Sequence, residues 1–175
     1  MAQRISDSMG QGLASPPAGA PSGGSSGARA VEVRPTFAQV DTAALVHNLQ
    51  ALRAHVAPAR VLAVVKADAY GHGAVVASKA LVDAGAWGLA VSLVEEGVEL
   101  REGGVHAPVV VLGGVAPDSA DVIVHRQLTP VVWSVEQLER LSAAVRRIGA
   151  RSARVHVKID SGMTRLGLLP ADLTP

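Results

Sequence analysis

The chain has 175 residues, 49% of them apolar and 18% charged, with a net charge of +1 and no cysteine. Length and apolar content suit one folded globular domain with a core of its own, and the near-neutral charge offers no strong field for nucleic acid or an anionic membrane. The absence of cysteine excludes disulfides, thiolate metal sites and cysteine nucleophiles, and fits a reducing cytoplasm.

Residues 1 to 30 are rich in Gly, Ser, Ala and Pro with almost no large apolar side chain. Such a segment does not offset the entropy of ordering and is expected to be a disordered tail, leaving residues 31 to 175 for the folded part. No apolar run follows the early arginine as a secretory signal requires, and none approaches the ~18 uninterrupted apolar residues of a membrane helix.

From residue 37 the sequence alternates short β-branched runs with helical periods. FAQVD is a short strand, and Asp41 is placed to cap a helix whose apolar face is Leu45, Leu49, Leu52 and Val56. RVLAVV (60 to 65) is too short for a helix and reads as a strand buried on both faces. A helix at about 74 to 85 and the strand WGLAV (87 to 91) follow. Ser92 with Glu95 reads as a capping box opening a helix that Gly103 and Gly104 end. PVVVLGG gives a strand at 108 to 114, and a short helix near 118 to 125 leads to LTPVVW (128 to 133), whose Pro130 is unusual in a strand. Ser134 and Gln137 make a second capping box. Val135, Leu138, Leu141, Val145 and Ile148 mark the apolar face of a helix ended by Gly149. The arginines at 140, 146, 147, 151 and 154 read as its solvated face and exit, not as a nucleic-acid surface. RVHVKID (154 to 160) is the last strand.

Alternation of this kind specifies βαβ units and a parallel sheet, with chemistry gathered at the C-terminal ends of the strands. Periodicity alone leaves two architectures open: an open doubly wound sheet, or the first five strands of an eight-stranded barrel.

Two stretches concentrate reactive side chains at those strand ends. In VVKADAYGHG (64 to 73), Lys66 stands where the apolar run stops. It is either a solvated strand-end lysine or a Schiff-base lysine. Tyr70, the chain's only tyrosine, is able to place a hydroxyl on a phosphate, act as acid or base, or simply pack. Gly71 and Gly73 permit a tight turn before a helix whose first amides face an anion if left free. Asp68 reads as a turn residue or cap, and His72 as a hydrogen-bonded structural residue. In KIDSGMTRLG (158 to 167), Lys158 leaves the last strand and Arg165 the loop after it, both toward the rim that carries Lys66 if the sheet is parallel. Arg165 offers a planar fork for a carboxylate or phenolate oxygen, or is a surface arginine. Neither Asp160 nor Ser161 pairs with a histidine as a hydrolase triad would, and the Gly pairs at 103 and 113 form no dinucleotide or Walker loop. No metal site is expected.

Together, in this order, the two stretches resemble the alanine racemase-like barrel family of pyridoxal-phosphate enzymes, and the element order fits from residue 37 to the end. The resemblance implies a (β/α)8 barrel of which this chain supplies about five strands. It implies that Lys66 holds pyridoxal phosphate as a Schiff base and acts as a base at the substrate Cα. Tyr70 would bond the cofactor phosphate. Arg165 would hold the substrate carboxylate and the phenolic oxygen of the cofactor, and Lys158 matches a lysine carbamylated in some members. The implied reaction interconverts L- and D-alanine for peptidoglycan in the cytoplasm. Family members also carry a β-rich C-terminal domain and take a second base, a tyrosine, from the partner subunit of a homodimer. This chain is therefore expected to be an N-terminal portion, inactive alone. The alternatives are a racemase of broader amino-acid specificity on the same fold and a non-catalytic fragment that binds the cofactor weakly or not at all. A cofactor-homeostasis barrel is disfavoured by ADAYGHG and the arginine loop.

Overall fold

The computed structural model describes residues 2–5 and 37–173, and falls into two compact units, residues 1–44 and 45–175. In the first unit, strands β1 (Ala2–Ile5) and β2 (Phe37–Val40) pair in parallel, Ala2 with Phe37 through Ile5 with Val40. The rest of the tail expected over residues 1 to 30 lies outside the described residues. Asp41 caps helix α1 (Thr42–Val56) as its sequence position predicts: Oδ1 accepts from the amides of Ala43 at 2.9 Å and Ala44 at 3.3 Å.

The second unit is a parallel sheet with helices between its strands. Strands β3 (Leu62–Val64), β4 (Gly88–Val91), β5 (Val109–Val111), β6 (Thr129–Val132) and β7 (His156–Val157) lie side by side in chain order, every pair parallel. The connections contain α2 (Lys66–Gly71), α3 (Ala74–Asp83), α4 (Val94–Glu102), α5 (Ala120–His125) and α6 (Val135–Ile148). Strand order decides between the two architectures. A doubly wound sheet reverses direction at a switch point, whereas a barrel adds each strand beside the last, as here.

Side-chain alternation separates two faces. Leu89, Val91, Val109, Val111 and Val132 pack in the large core that also holds Ala77, Leu81, Leu100, Ile123, Leu141 and Ala144 of the helices. Ala90, Val110 and Val131, flanked by Leu62, Leu112 and Trp133, form a second, smaller cluster on the opposite face. Paired residues of parallel strands share a face. Val131 pairs with His156, so His156 and, two residues on, Lys158 belong to the small-cluster face.

Several expectations are corrected here. RVLAVV is not buried on both faces: Leu62 and Ala63 are half-buried and Val64 is 44% exposed, because β3 is an outer strand with a neighbour on one side only among the described residues. On α1, Leu49 is buried and Leu45 half-buried, but Leu52 and Val56 are exposed, since the helix flanks that same edge. On α6 the buried stripe is Gln137, Leu141 and Ala144, with Val135 and Leu138 exposed. Gln137 turns toward the sheet because its Oε1 accepts the Trp133 amide at 2.8 Å, while Ser134 Oγ caps the Gln137 amide. The capping box assigned to Ser92 and Glu95 is displaced by one residue: α4 begins at Val94, and Glu96 accepts from the amides of Ser92 and Leu93. Pro130 is accommodated inside a strand because β6 pairs with β7 only from Val131 onward, so its missing N–H falls where that side has no ladder.

Candidate active site

Lys66 follows the last ladder contact of β3, the bond from the Val65 amide to the Ala90 carbonyl at 2.9 Å. The backbone then winds the wrong way. Ala67, Asp68, Ala69 and Tyr70 all have φ between 51° and 56° with ψ between 37° and 54°, a left-handed turn built from residues that have a Cβ. Each such residue costs roughly 1–2 kcal/mol through contact of Cβ with the following carbonyl. Strain of this kind persists only where neighbours over-determine the conformation.

The neighbours are identifiable. Within the turn, the Ala69 amide donates to the Val65 carbonyl at 2.9 Å and the Gly73 amide to the Asp68 carbonyl at 3.0 Å. Asp68 Oδ1 accepts from the Ala74 amide at 2.6 Å, which ties the turn to the start of α3. The anion subsite expected at that amide is thus filled by the chain's own carboxylate. His72 holds the Ala69 carbonyl with Nδ1 at 2.8 Å, the structural role its sequence position implies. Gly71 and Gly73, at φ 83° and 90°, carry the chain out of the turn through conformations that side chains avoid. Across the sheet, Glu96 Oε1 accepts from the Ala67 amide at 2.6 Å.

Residues four apart on a helical turn share a side, and the Lys66 ammonium accordingly lies over the Tyr70 ring, 5.9 Å from its centroid. Lys66 is half-buried and Tyr70 is 60% exposed. Glu96 completes the group. Its partial burial favours the neutral form, but the amides of Leu93, Ala67 and Ser92 and the charge of Lys66 outweigh that and hold the carboxyl below its usual range. Sequence reasoning missed Glu96 for this site, because the contact spans 29 positions and the neighbouring Glu95 satisfies the local capping pattern equally well.

At the other edge of the sheet, the Lys158 amide donates to the Val132 carbonyl at 2.8 Å, extending the β7 ladder. Leu168 and Asp160 close the following loop with bonds of 2.9 Å to the Lys158 carbonyl and 2.8 Å from the Asp160 amide. Gly167 passes so near that a Cβ there would lie 2.6 Å from the Asp160 nitrogen. Asp160 Oδ1 accepts from the amides of Gly162 at 2.9 Å and Thr164 at 3.0 Å, shaping the segment that presents Arg165. Lys158 is half-buried. Arg165 is exposed and makes no hydrogen bond or ion pair among the described residues. The structure therefore joins Lys66 to Tyr70 and Glu96, and Lys158 to Asp160. Both groups stand at the C-terminal ends of the two outer strands of one parallel sheet. A cavity of about 800 Å³ lies elsewhere, between α4 and α5 beside Val98 and Val122.

Bonds from the amides of Thr164 and Gly162 hold the Asp160 carboxyl below the ordinary aspartate range, with Lys158 adding to the effect. The carboxylate thus stabilises the arginine loop above that range, and the contribution disappears as pH falls through the depressed value. Amide protection factors at Gly162 and Thr164, taken relative to the intrinsic exchange rate at each pH, should fall on acidification in that window and should already be low in Asp160→Ala at neutral pH. Unchanged protection in the variant would assign the loop's order to the Leu168 bonds instead.

The model of the family described as alanine racemase, N-terminal domain, matches residues 40–174. Alanine racemase of Symbiobacterium thermophilum is 45% identical over 141 residues, which cover 81% of this chain and 37% of that protein. Among solved structures, alanine racemase from D-cycloserine-producing Streptomyces lavendulae superposes with a TM-score of 0.73 at 34% identity, covering 76% of this chain and 35% of that one. A Bartonella henselae alanine racemase with covalently bound pyridoxal phosphate gives 0.68 at 28% identity, with coverage of 76% and 37%. Histidine racemase from Leuconostoc mesenteroides gives 0.69 at 26%, with coverage of 74% and 35%. The chain spans a little over a third of the length of these relatives. With the family model matched over residues 40–174, from the end of β2 through the arginine loop, the chain belongs to the alanine racemase N-terminal domain family.

Proposed function

We propose that these residues form the cofactor-lysine half of a pyridoxal-phosphate-dependent alanine racemase, which interconverts L- and D-alanine and feeds peptidoglycan synthesis. The observation that carries this reading is Lys66, half-buried at the C-terminal end of β3 and held against Tyr70 by a left-handed turn. The donor set fits the cofactor. Lys66 offers a primary amine for its aldehyde, and the Tyr70 hydroxyl, without a hydrogen-bond partner among the described residues, is available to the phosphate. When bound, pyridoxal phosphate supplies the electron sink for the charge left at Cα once its proton is removed.

The rest is work for side chains. Lys66 takes or returns the Cα proton on one face of the substrate. Arg165 holds the substrate carboxylate and the ring oxygen of the cofactor in its planar fork, and Lys158, carbamylated or not, buttresses that arginine. Strands one and five of an eight-stranded barrel are diametrically opposed, so Lys66 and Arg165 would face each other across the barrel mouth. Inversion needs a second proton carrier on the other face. The sequence has one tyrosine, Tyr70, and we assign it to the phosphate. The second carrier is assigned to a tyrosine of the partner subunit in a homodimer. The cytoplasm suits a chain without cysteine. Substrate breadth beyond alanine is the second reading, supported by the histidine racemase that shares this fold.

In the protein as the cell makes it, Arg165→Ala should slow racemisation far more than Arg147→Ala. Losing a charge-assisted hydrogen bond costs roughly 1.5–3 kcal/mol, or about ten- to a hundredfold in rate. Arg147 is an exposed partner of Asp121 on the helix layer, where an ion pair contributes little. Equal and small losses measured by chiral chromatography would make the arginine loop structural.

A further inference from the structure

Glu96 sits at the third position of α4, yet its carboxylate serves two elements. Oε2 accepts from Ser92 at 2.7 Å and Leu93 at 2.9 Å, the two residues after β4, and Oε1 accepts from Ala67 at 2.6 Å, the residue after Lys66. Capping its own helix would need only the first pair. The bond to Ala67 instead reaches a neighbouring strand end, at the first residue of the left-handed run. No other side chain among the described residues bonds the backbone amides of residues 66 to 70. Asp68 and His72 stabilise the later part of the turn, at Ala74 and at the Ala69 carbonyl.

We propose that Glu96 is the positioning residue of Lys66: it clamps the Ala67 amide to the start of α4, so that the strained turn begins at one fixed place and the lysine amine enters the barrel mouth in one orientation. Glu96 acts through the backbone and touches neither substrate nor cofactor. The proposal rests on the reading of Lys66 as the cofactor lysine.

The test uses the protein as the cell makes it, stripped of cofactor, with wild type, Glu96→Ala, Glu96→Gln and the exposed neighbour Glu95→Ala as a control. Two quantities are measured: amide exchange of the peptide over residues 66 to 73, and the rate at which added pyridoxal phosphate becomes borohydride-trapped on Lys66, located by peptide mapping. Glu96→Ala should exchange that peptide and trap Lys66 with changes of about tenfold or more, faster in exchange and slower in trapping, as befits loss of a charged acceptor. Glu96→Gln, which keeps one oxygen for Ala67, should recover most of the trapping rate, and Glu95→Ala should match wild type. A structural cap alone predicts a different pattern, with α4 exchange altered and Lys66 trapping unmoved. Trapping in Glu96→Ala within twofold of wild type overturns the proposal. If Glu96→Ala does not fold, Glu96→Asp decides, since its carboxylate is one methylene too short to keep both the α4 amides and Ala67: faster exchange over 66 to 73 with slower trapping supports the clamp, and wild-type values of both overturn it. Absence of any mark on Lys66 in wild type would instead refute the cofactor-lysine reading, leaving the exchange result to report on the clamp by itself.

Discussion

Lys66→Ala will abolish the reducible adduct with pyridoxal phosphate, and racemisation with it, in the protein as the cell makes it. Three lysines compete for the role: Lys66, Lys79 and Lys158. Lys79 is exposed on α3, on the helix layer and away from the strand ends. Lys158 stands at a strand end but beside Asp160, in a loop organised around that carboxylate. Lys66 alone combines the strand-end position with a phenol four residues on and a carboxylate that fixes the turn. Removing the nucleophile leaves no covalent attachment, so the loss should be complete within detection, larger than that of any hydrogen-bond deletion. Borohydride reduction followed by peptide mapping should find the pyridoxyl group on the peptide containing residue 66 in wild type and nowhere in the variant. A mark on Lys79 or Lys158 would reassign the site.

Much of this site was legible because its signals are local. Asp41 and Ser134 announce helix starts by residue type and position, and both hydroxyl or carboxylate oxygens cap the amides expected of them. The two loops carry their chemistry within ten residues each, and strand ends place them on one rim once the sheet is parallel. What escaped depends on neighbours in space. Val64, Leu52 and Leu138 are as apolar as their buried counterparts, and only the edge of the sheet and the rotation of α6 expose them. The left-handed turn had no sequence warning either. Of Ala67, Asp68, Ala69 and Tyr70 only the aspartate favours positive φ, so the winding depends on bonds to residues beyond the run, from the Ala67 amide to Glu96 and from the Ala74 amide to Asp68.

An isolated copy of these 175 residues is expected to self-associate and to show no racemisation. Strands β3 and β7 each lack a partner on one side among the described residues, and such edges are templates for pairing with another chain. Apolar side chains lie exposed along them: Val64 at 44%, Val157 at 53% and Ile159 at 48%. Val157 belongs to the helix-facing side, by its pairing with Val132, where no α-helix after β7 covers it among the described residues. Each is already about half covered, so burying the remainder would contribute half of the ~1.5–3 kcal/mol of a whole apolar side chain, a drive toward association. The small-cluster face is better protected, since Ala90, Val110 and Val131 are already buried by their neighbours, so contact should form edge to edge. Catalysis fails for a separate reason. On the proposed reading Lys66 serves one face of the substrate, and these 175 residues hold no second tyrosine for the other; with one proton carrier, exchange at Cα would proceed without inversion. Sedimentation velocity of the purified chain should show oligomers that grow with concentration. Chiral chromatography after incubation with L-alanine and excess pyridoxal phosphate should find no D-alanine above the Lys66→Ala control. A monodisperse monomer that racemises alanine in a Lys66-dependent manner would mean that β3 and β7 tolerate solvent and that a residue within these 175 supplies the second proton.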